Sequence, residues 1–267
     1  MSERFEQECD IRIGTSGYDY PEWEGRFYSR GLGRSEYLGV YSESFQTLEL
    51  NFSPPDLPRP AALREMMAQT RRPIDFSVLA SRALTHGVAP AGWRAFASEF
   101  VSGIEPLAEA GRLCAVLIGF PPSFLYRDDE RRYLDGLLKA LSSFPLVVEF
   151  LNAEWYNARV IEGFKSRGVG LCMVDVPRLD GLPPVSDMVT ADLACVRFHG
   201  RDAQAWLAEG PGGGAYRYSR DELATWVPRL QAMRVEAKRL RIYFTNHRAG
   251  AAPAAARDLT RLVAGLC

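Results

Sequence analysis

Lysine is nearly absent from this 267-residue chain: Lys139, Lys165 and Lys238 are the only lysines among 32 basic residues, so arginine carries the positive charge. The basic residues are offset by 33 acidic ones, for a net charge of −1. A strongly basic nucleic-acid binder would show a lopsided total, so nucleic acid is not favoured as a partner. An arginine-lined cleft is still compatible, because net charge does not report charge distribution. No run of about 18 consecutive apolar residues occurs, so no membrane span is expected. The opening MSERFEQECDIRIG is acidic and polar and lacks an apolar signal core, so export is not expected. The five cysteines (Cys9, Cys114, Cys172, Cys195 and Cys267) are odd in number and no two are close in sequence. That pattern excludes a disulfide framework and a zinc ribbon. Cys114, Cys172 and Cys195 sit in apolar runs, where cysteine behaves as a small hydrophobe. The expected compartment is a reducing cytoplasm. No Pro/Ser-rich linker and no internal repeat divides the chain, and one domain over 1–267 is expected. Dinucleotide fingerprint, Walker loop and serine nucleophile elbow are all missing.

What is present is a soluble globular composition, 47% hydrophobic and 24% charged. Eight short apolar runs punctuate it: Ile11–Gly14, Thr47–Asn51, Asp75–Leu79, Cys114–Gly119, Leu146–Phe150, Gly170–Asp175, Ala194–His199 and Leu240–Thr245. Most are apolar throughout rather than alternating, which suits parallel strands covered on both faces. Helical patterns fill the gaps at Ser35–Phe45, Pro60–Thr70, Ala91–Ala110, Asp128–Ser142, Asn157–Arg167, Ser219–Lys238 and Pro253–Leu266. Pro60 and Pro253 suit a first helical turn, and Ser219 with Glu222 has capping-box spacing. The exception lies between the sixth and seventh strands, where DVPRLDGLPPV reads as an irregular connection. Glu209–Ala215 reads as a flexible loop. Eight strands with intervening helices point to an α/β fold, a closed parallel (β/α)8 TIM-barrel-like domain, with a doubly wound open sheet as the competing architecture.

In such a barrel the active site forms at the C-terminal strand ends. The chain's three histidines fall there: His86 after the third strand, His199 at the end of the seventh, His247 after the eighth. Charged residues also interrupt the apolar strands: Glu49, Glu149, Asp175 and Arg197. A buried charge costs several kcal/mol unless paired. An outward charge would meet an apolar helix, so the lumen near its mouth is expected for all four. Glu49 and Asn51 share a strand face, as do Arg197 and His199. One reading is a structural ion-pair network in which Arg197 neutralises Glu49 or Glu149. The other is a ligand or catalytic site built from the same residues. The loop Gly14–Trp23 could cradle an anion with its N–H groups and hydroxyls. Arg201 and Arg248 follow strands seven and eight, where barrels often bind phosphate.

Several segments together resemble a known family. IRIGTSGYDYPEWEGRFY, LELN, the Thr85–His86 pair, the FPP of Phe120–Pro122, VEF, VRFHG and IYFTN occur in the order seen in the YecE-like proteins, a family of unknown function with a TIM-barrel-like fold. The resemblance spans roughly Ile11 to Leu266. Positions matching the family pattern are Glu49, Asn51, Thr85, His86, Glu149, Trp155, Asp175, Arg197, His199 and Asn246. The sequence departs from it at Phe52–Pro55, Leu79, Gly119, Leu151, Asn152 and His247, where relatives tend to carry other, mostly polar, residues. An analogy of fold with barrel endonucleases acting at abasic DNA accompanies the resemblance.

These readings combine into one expectation. The chain is expected to be a hydrolase acting on a small polar or phosphorylated molecule, an endonuclease-like phosphoesterase being one version. Glu49 or Glu149 would serve as general base, because a desolvated carboxyl can be tuned toward neutral pH. His199 would donate the proton, and Arg197 would orient an anionic group. Asn51, His86, Trp155, Asp175, Asn246 and His247 would complete the substrate-binding rim. No cofactor is expected. A divalent metal is chemically compatible with the scattered His and carboxylates, but Arg197 on the face of His199 opposes a bound cation, so no stoichiometric metal is expected. The competing expectation is a non-catalytic barrel that binds a small molecule or nucleic acid in a degenerate pocket.

Overall fold

In the computed structural model, which describes residues 9–52, 57–212 and 215–264, the apolar runs form eight parallel strands. They are β1 (Asp10–Thr15), β2 (Thr47–Leu50), β3 (Asp75–Leu79), β4 (Leu113–Phe120), β5 (Leu146–Phe150), β6 (Gly170–Asp175), β7 (Leu193–Phe198) and β8 (Arg239–Phe244). Their spatial order, β1-β8-β7-β6-β5-β4-β3-β2, leaves β1 and β2 at the two ends of the ladder series. One parallel bridge, Ser16 to Glu49, brings those ends together and nearly closes the barrel. The open-sheet alternative is thereby excluded.

The β1–β2 seam has a specific construction. The Thr15 amide donates to the Tyr41 hydroxyl at 2.9 Å, and that hydroxyl donates to the Thr47 carbonyl at 3.0 Å. A phenol thus replaces a direct ladder bond. Gly14 permits the approach, since a Cβ there would lie 2.2 Å from the Thr47 carbonyl oxygen. Just beyond, the Gly17 amide donates to the Glu49 carbonyl at 2.8 Å.

The helices are α1 (Tyr37–Ser44), α2 (Pro60–Gln69), α3 (Arg82–Thr85), α4 (Trp93–Glu109), α5 (Asp128–Ala140), α6 (Ala158–Arg167), α7 (Ala203–Glu209), α8 (Arg220–Ala224), α9 (Val227–Glu236) and α10 (Ala251–Ala264). The single helix expected over Ser219–Lys238 is two. Pro228 has no N–H to bond back into the preceding turn, so the chain restarts after Trp226. The Ser219–Glu222 capping box forms at the start of α8. The short α7 was not legible as a helix, although Asp202 caps it by accepting from the Gln204 and Ala205 amides. The last helix starts two residues before Pro253, and Leu266 lies outside the described residues. The same is true of Ser53, Pro54, Pro55, Gly213, Gly214 and Cys267. Residues 176–192 form the helix-free connection between β6 and β7.

Side chains two apart on β8 stack up the lumen. Arg241, at the N-terminal end, is buried and ion-paired to Asp10 at 2.7 Å and Asp75 at 2.6 Å. Tyr243 sits above it, its hydroxyl 2.8 Å from both Thr47 Oγ1 and Ser77 Oγ. Leu117, Val147, Cys172 and Cys195 fill the space around it. Thr245 continues the row into the C-terminal mouth. Outside the barrel, larger apolar and aromatic side chains bind helices to sheet, as Phe150 does against Trp155 and Phe164.

Candidate functional site at the C-terminal mouth

Four of the charged and polar residues singled out from sequence meet above the Tyr243 layer. Arg197 is at the centre. Its Nε and Nη2 donate to Glu49 Oε2 and Oε1 at 2.9 and 2.8 Å, and its Nη1 donates to Glu149 Oε1 at 2.6 Å. Glu149 Oε2 lies 3.0 Å from His199 Nε2, and His199 Nδ1 lies 2.9 Å from Thr245 Oγ1. All of these side chains are buried. They hang from β2, β5, β7 and the residue after β8, so the barrel itself fixes their separations.

The hydrogen-bond chemistry constrains His199. An ionised carboxylate only accepts, so Nε2 must carry a proton to bond Glu149. The Thr245 hydroxyl has one proton and two partners, His199 Nδ1 and the Phe198 carbonyl at 3.2 Å. When it turns to Nδ1 the imidazole is neutral. When it turns to the carbonyl it accepts from a protonated Nδ1, and the ring is an imidazolium. Rotation of one hydroxyl therefore matches both charge states of His199.

Burial by itself would raise the Glu149 carboxyl, but the Arg197 guanidinium and His199 outweigh it and hold the group down at about 2. Arg197 is in turn pushed up by the two glutamates against the opposing effect of burial. These values change the roles expected from sequence. Glu149 stays ionised and is too weak a base near neutral pH. Glu49 has both oxygens taken by Arg197 and receives a further bond from Ser16 Oγ at 2.6 Å. In this geometry both oxygens of each glutamate are already engaged, those of Glu49 by Arg197 and those of Glu149 by Arg197 and His199. Both hold other groups in place.

A cavity of about 650 Å³ opens over this cluster. All three histidines of the chain line it, with three arginines (Arg82, Arg197, Arg248) against two glutamates (Glu149, Glu209). His247 stacks on Tyr20, ring centroids 4.4 Å apart, and Arg248 pairs with Glu209 at 2.7 Å. Asn51 sits at the rim, donating to Ser16 Oγ at 3.2 Å. His86 follows α3, and burial together with Arg82 lowers its pKa. Among the described residues no group of three or more His, Cys, Asp or Glu is arranged to hold a metal ion. Arg197 itself stands between the two glutamates.

Three expected site residues lie elsewhere. Asp175 faces outward from β6, where Arg201 Nε and Nη2 (2.8 and 2.6 Å), the Tyr218 hydroxyl (2.8 Å) and Trp226 Nε1 (2.6 Å) saturate it. The argument that an outward charge would meet only apolar helix fails here, because this layer supplies polar partners. Arg201 is thereby directed away from the cavity. Trp155 packs outside the barrel, its ring 4.3 Å from Phe150 and its Nε1 donating to the Phe124 carbonyl at 2.8 Å. Asn246 is fully buried and donates to the Tyr216 carbonyl at 2.5 Å. It is outside the cavity lining, as are Trp155 and Asp175. Conversely, Thr245 and Arg82 line the cavity without a site role expected from the sequence, and Ser16 and Tyr20 line it as members of the Gly14–Trp23 loop. The signal for Thr245 was available, since it continues the lumen face of Arg241 and Tyr243. The Gly14–Trp23 loop spends Ser16 on Glu49 rather than on a free anion.

The comparisons with known proteins agree with this architecture. The model of the family described as protein of unknown function DUF72 matches residues 12–266. The chain belongs to the DUF72 family. Among its relatives is the UPF0759 protein YunF of Bacillus subtilis, 25% identical over 95% of this chain and 94% of that one. A crystal structure of a DUF72 family protein from Thermotoga maritima superposes with a TM-score of 0.87 at 29% identity, covering 96% of this chain and 99% of the other. A DUF72 family protein from Enterococcus faecalis shares the fold, with a TM-score of 0.82 at 22% identity over 95% of each chain. For this DUF72 chain the departures noted in the sequence now have a location. Leu79, Gly119 and Leu151 all line the mouth cavity.

Proposed function

We propose that this chain, a divergent YecE-like member of the DUF72 family, is a hydrolase acting on a small polar, anionic molecule bound in the mouth cavity. The observation that carries the reading is the chain Thr245–His199–Glu149–Arg197. It has the elements of an acid–base device: a cavity-lining hydroxyl, an imidazole, and a carboxylate held ionised behind it. In the reaction a water gives its proton through the Thr245 hydroxyl to His199 Nδ1. The resulting hydroxide adds to the electrophilic centre, the bond to the leaving group breaks, and the imidazolium returns the proton to the leaving group. Glu149 stabilises the imidazolium and fixes its orientation. Arg82, together with the N–H groups the rim imidazoles can donate, favours an anionic substrate, while Arg201 and Arg248 are tied to Asp175 and Glu209 and offer no continuous track for a nucleic-acid backbone.

The test is turnover of p-nitrophenyl phosphate, bis-p-nitrophenyl phosphate and p-nitrophenyl acetate by the protein and by His199→Asn. General acid–base catalysis is worth about 10²–10⁴-fold, so a loss in that range is expected. Turnover that survives the substitution would place the chemistry elsewhere. The apolar Leu79, Gly119 and Leu151 beside Glu149 favour the second reading, a barrel that binds its ligand without transforming it. Saturable binding with no turnover in any of these assays would select it.

A further inference from the structure

The mouth cavity is chemically divided along the barrel's circumference. The sector over β7, β8, β1 and β2 presents His199, Thr245, His247, Ser16, Tyr20 and Asn51. The sector over β3, β4 and β5 presents Leu79, Gly119 and Leu151, with Pro121 and Pro122 above, and its polar members are Arg82 and His86, which follow β3. Leu151 is buried and continues into an apolar cluster with Val174, Val176 and Trp206. Glu149 and Arg197 mark the boundary between the two halves.

Gly119 decides the shape of the apolar half. It lies level with Glu149 in the β4–β5 register. A Cβ built there would stand 3.5 Å from Leu79 Cδ1, 3.5 Å from Glu149 Oε1 and 3.9 Å from Arg197 Nη1, all ordinary van der Waals separations. Its φ is not in the left-handed region, and nothing crowds the position. The backbone therefore does not require glycine at 119. What the glycine provides is a notch, walled by Leu79 on one side and by the ion-paired Glu149 on the other, opening directly beside the proton-transfer chain. Water in a notch with an apolar wall is released when an apolar group enters, which favours binding in proportion to the area covered.

We infer that the ligand of this site is amphipathic: an anionic head facing the His/Arg rim and the Thr245–His199 chain, and an apolar, ring-sized arm seated in the Gly119 notch against Leu79. This rests on the anionic-substrate reading above and adds the second half of the molecule. Gly119 and Leu79 are then the residues that set which arm is accepted. Filling the notch at Gly119 excludes a ring. Shortening Leu79 widens the notch and moves the preference to a larger ring.

Calorimetric titration with matched anions tests this on the intact protein: methyl phosphate against phenyl phosphate, and acetate against benzoate. The expected result is that the ring-bearing member of at least one pair binds tenfold tighter or more, equivalent to about 1.4 kcal/mol. Gly119→Leu is expected to bring that ratio close to one. Leu79→Ala, with the same head, is expected to shift the preference from phenyl to naphthyl phosphate. Thermal melts of each variant confirm that it is folded before titration. If methyl phosphate or acetate binds but the ring adds nothing, or if the ratio survives Gly119→Leu, the amphipathic ligand is overturned while the anionic-head reading stands. If no member of either pair binds, both are overturned.

Discussion

Arg197 on β7 holds Glu49 on β2 with two nearly parallel hydrogen bonds, Nε to Oε2 at 2.9 Å and Nη2 to Oε1 at 2.8 Å, across the lumen of the barrel. Its third nitrogen takes Glu149 on β5. One guanidinium thus spans three strands and pairs with two buried carboxylates. Only a planar fork does this, because a lysine ammonium is a point charge that cannot present paired donors to one carboxylate and a third to another. Arg197→Ala should cost about 3–5 kcal/mol in urea unfolding, since it strands two carboxylates in a buried site. Arg197→Lys should recover part of that loss and not all of it. A loss under about 1 kcal/mol for the alanine variant would mean that water satisfies the glutamates instead.

Acid should expose the Glu149 contribution. Its carboxyl is lowered from the ordinary 4.5 to about 2 in the folded chain. A lowered acid stabilises the fold above its unfolded-state value, and the contribution is lost as pH falls toward the folded-state value. The window is therefore from about pH 4.5 down to about 2, and the amount is on the order of 3 kcal/mol. Urea midpoints measured across that window should fall more steeply for the protein than for Glu149→Gln. Superimposable pH profiles would show that the Arg197 and His199 contacts do not hold the group ionised.

The β1–β2 seam makes a separate prediction. Tyr41→Phe removes the hydroxyl that links the Thr15 amide to the Thr47 carbonyl and leaves both buried groups without that partner. The expected cost is about 1–3 kcal/mol. Faster hydrogen exchange at the Thr15 amide, relative to amides in the β7–β8 ladder, would locate the loss at the seam. Equal protection in both forms would show that the strands close without the phenol.

Asp175 is expected to act on the chemistry through position rather than contact. It accepts from the Tyr218 hydroxyl, which itself accepts from the Gly200 amide at 2.9 Å, the residue after His199. Asp175→Ala should cost about 3 kcal/mol, from the unpaired Tyr218 and Trp226 donors and the released Arg201. If the hydrolase reading is right, kcat should fall with KM little changed, because the backbone beside His199 loosens while the rim is untouched. A KM effect alone would place Asp175 in ligand binding after all.

The sequence made the barrel legible because parallel strands are buried on both faces. Runs such as Leu146–Phe150 and Gly170–Asp175 are therefore apolar on both faces apart from one charge each, Glu149 and Asp175, and their bounds match the observed strands. It also showed which residues share a face: Arg197 on β7 with His199 just after it, both found in the lumen. The same double burial hid which face each charge takes. On β6, Cys172 joins the lumen cluster while Asp175, three positions later, points out to the helix layer. Nothing local distinguishes that placement from the inward one of Glu149. The deciding partners, Arg201, Tyr218 and Trp226, come from 26, 43 and 51 residues away.

What the sequence determined by itself was the strand and helix series, the set of charges that must find partners, and the three histidines near strand ends. The tertiary structure alone decided that those histidines face one cavity, that Glu49 and Glu149 are held by Arg197, and that Thr245 completes the His199 chain. The reason is physical. Apolar periodicity is a property of neighbours along the chain, whereas the partner of a buried charge is chosen by the closure of the barrel. That closure places β2, β5, β7 and β8 around a common axis, and a carboxylate's proton affinity then follows from which cation it meets there.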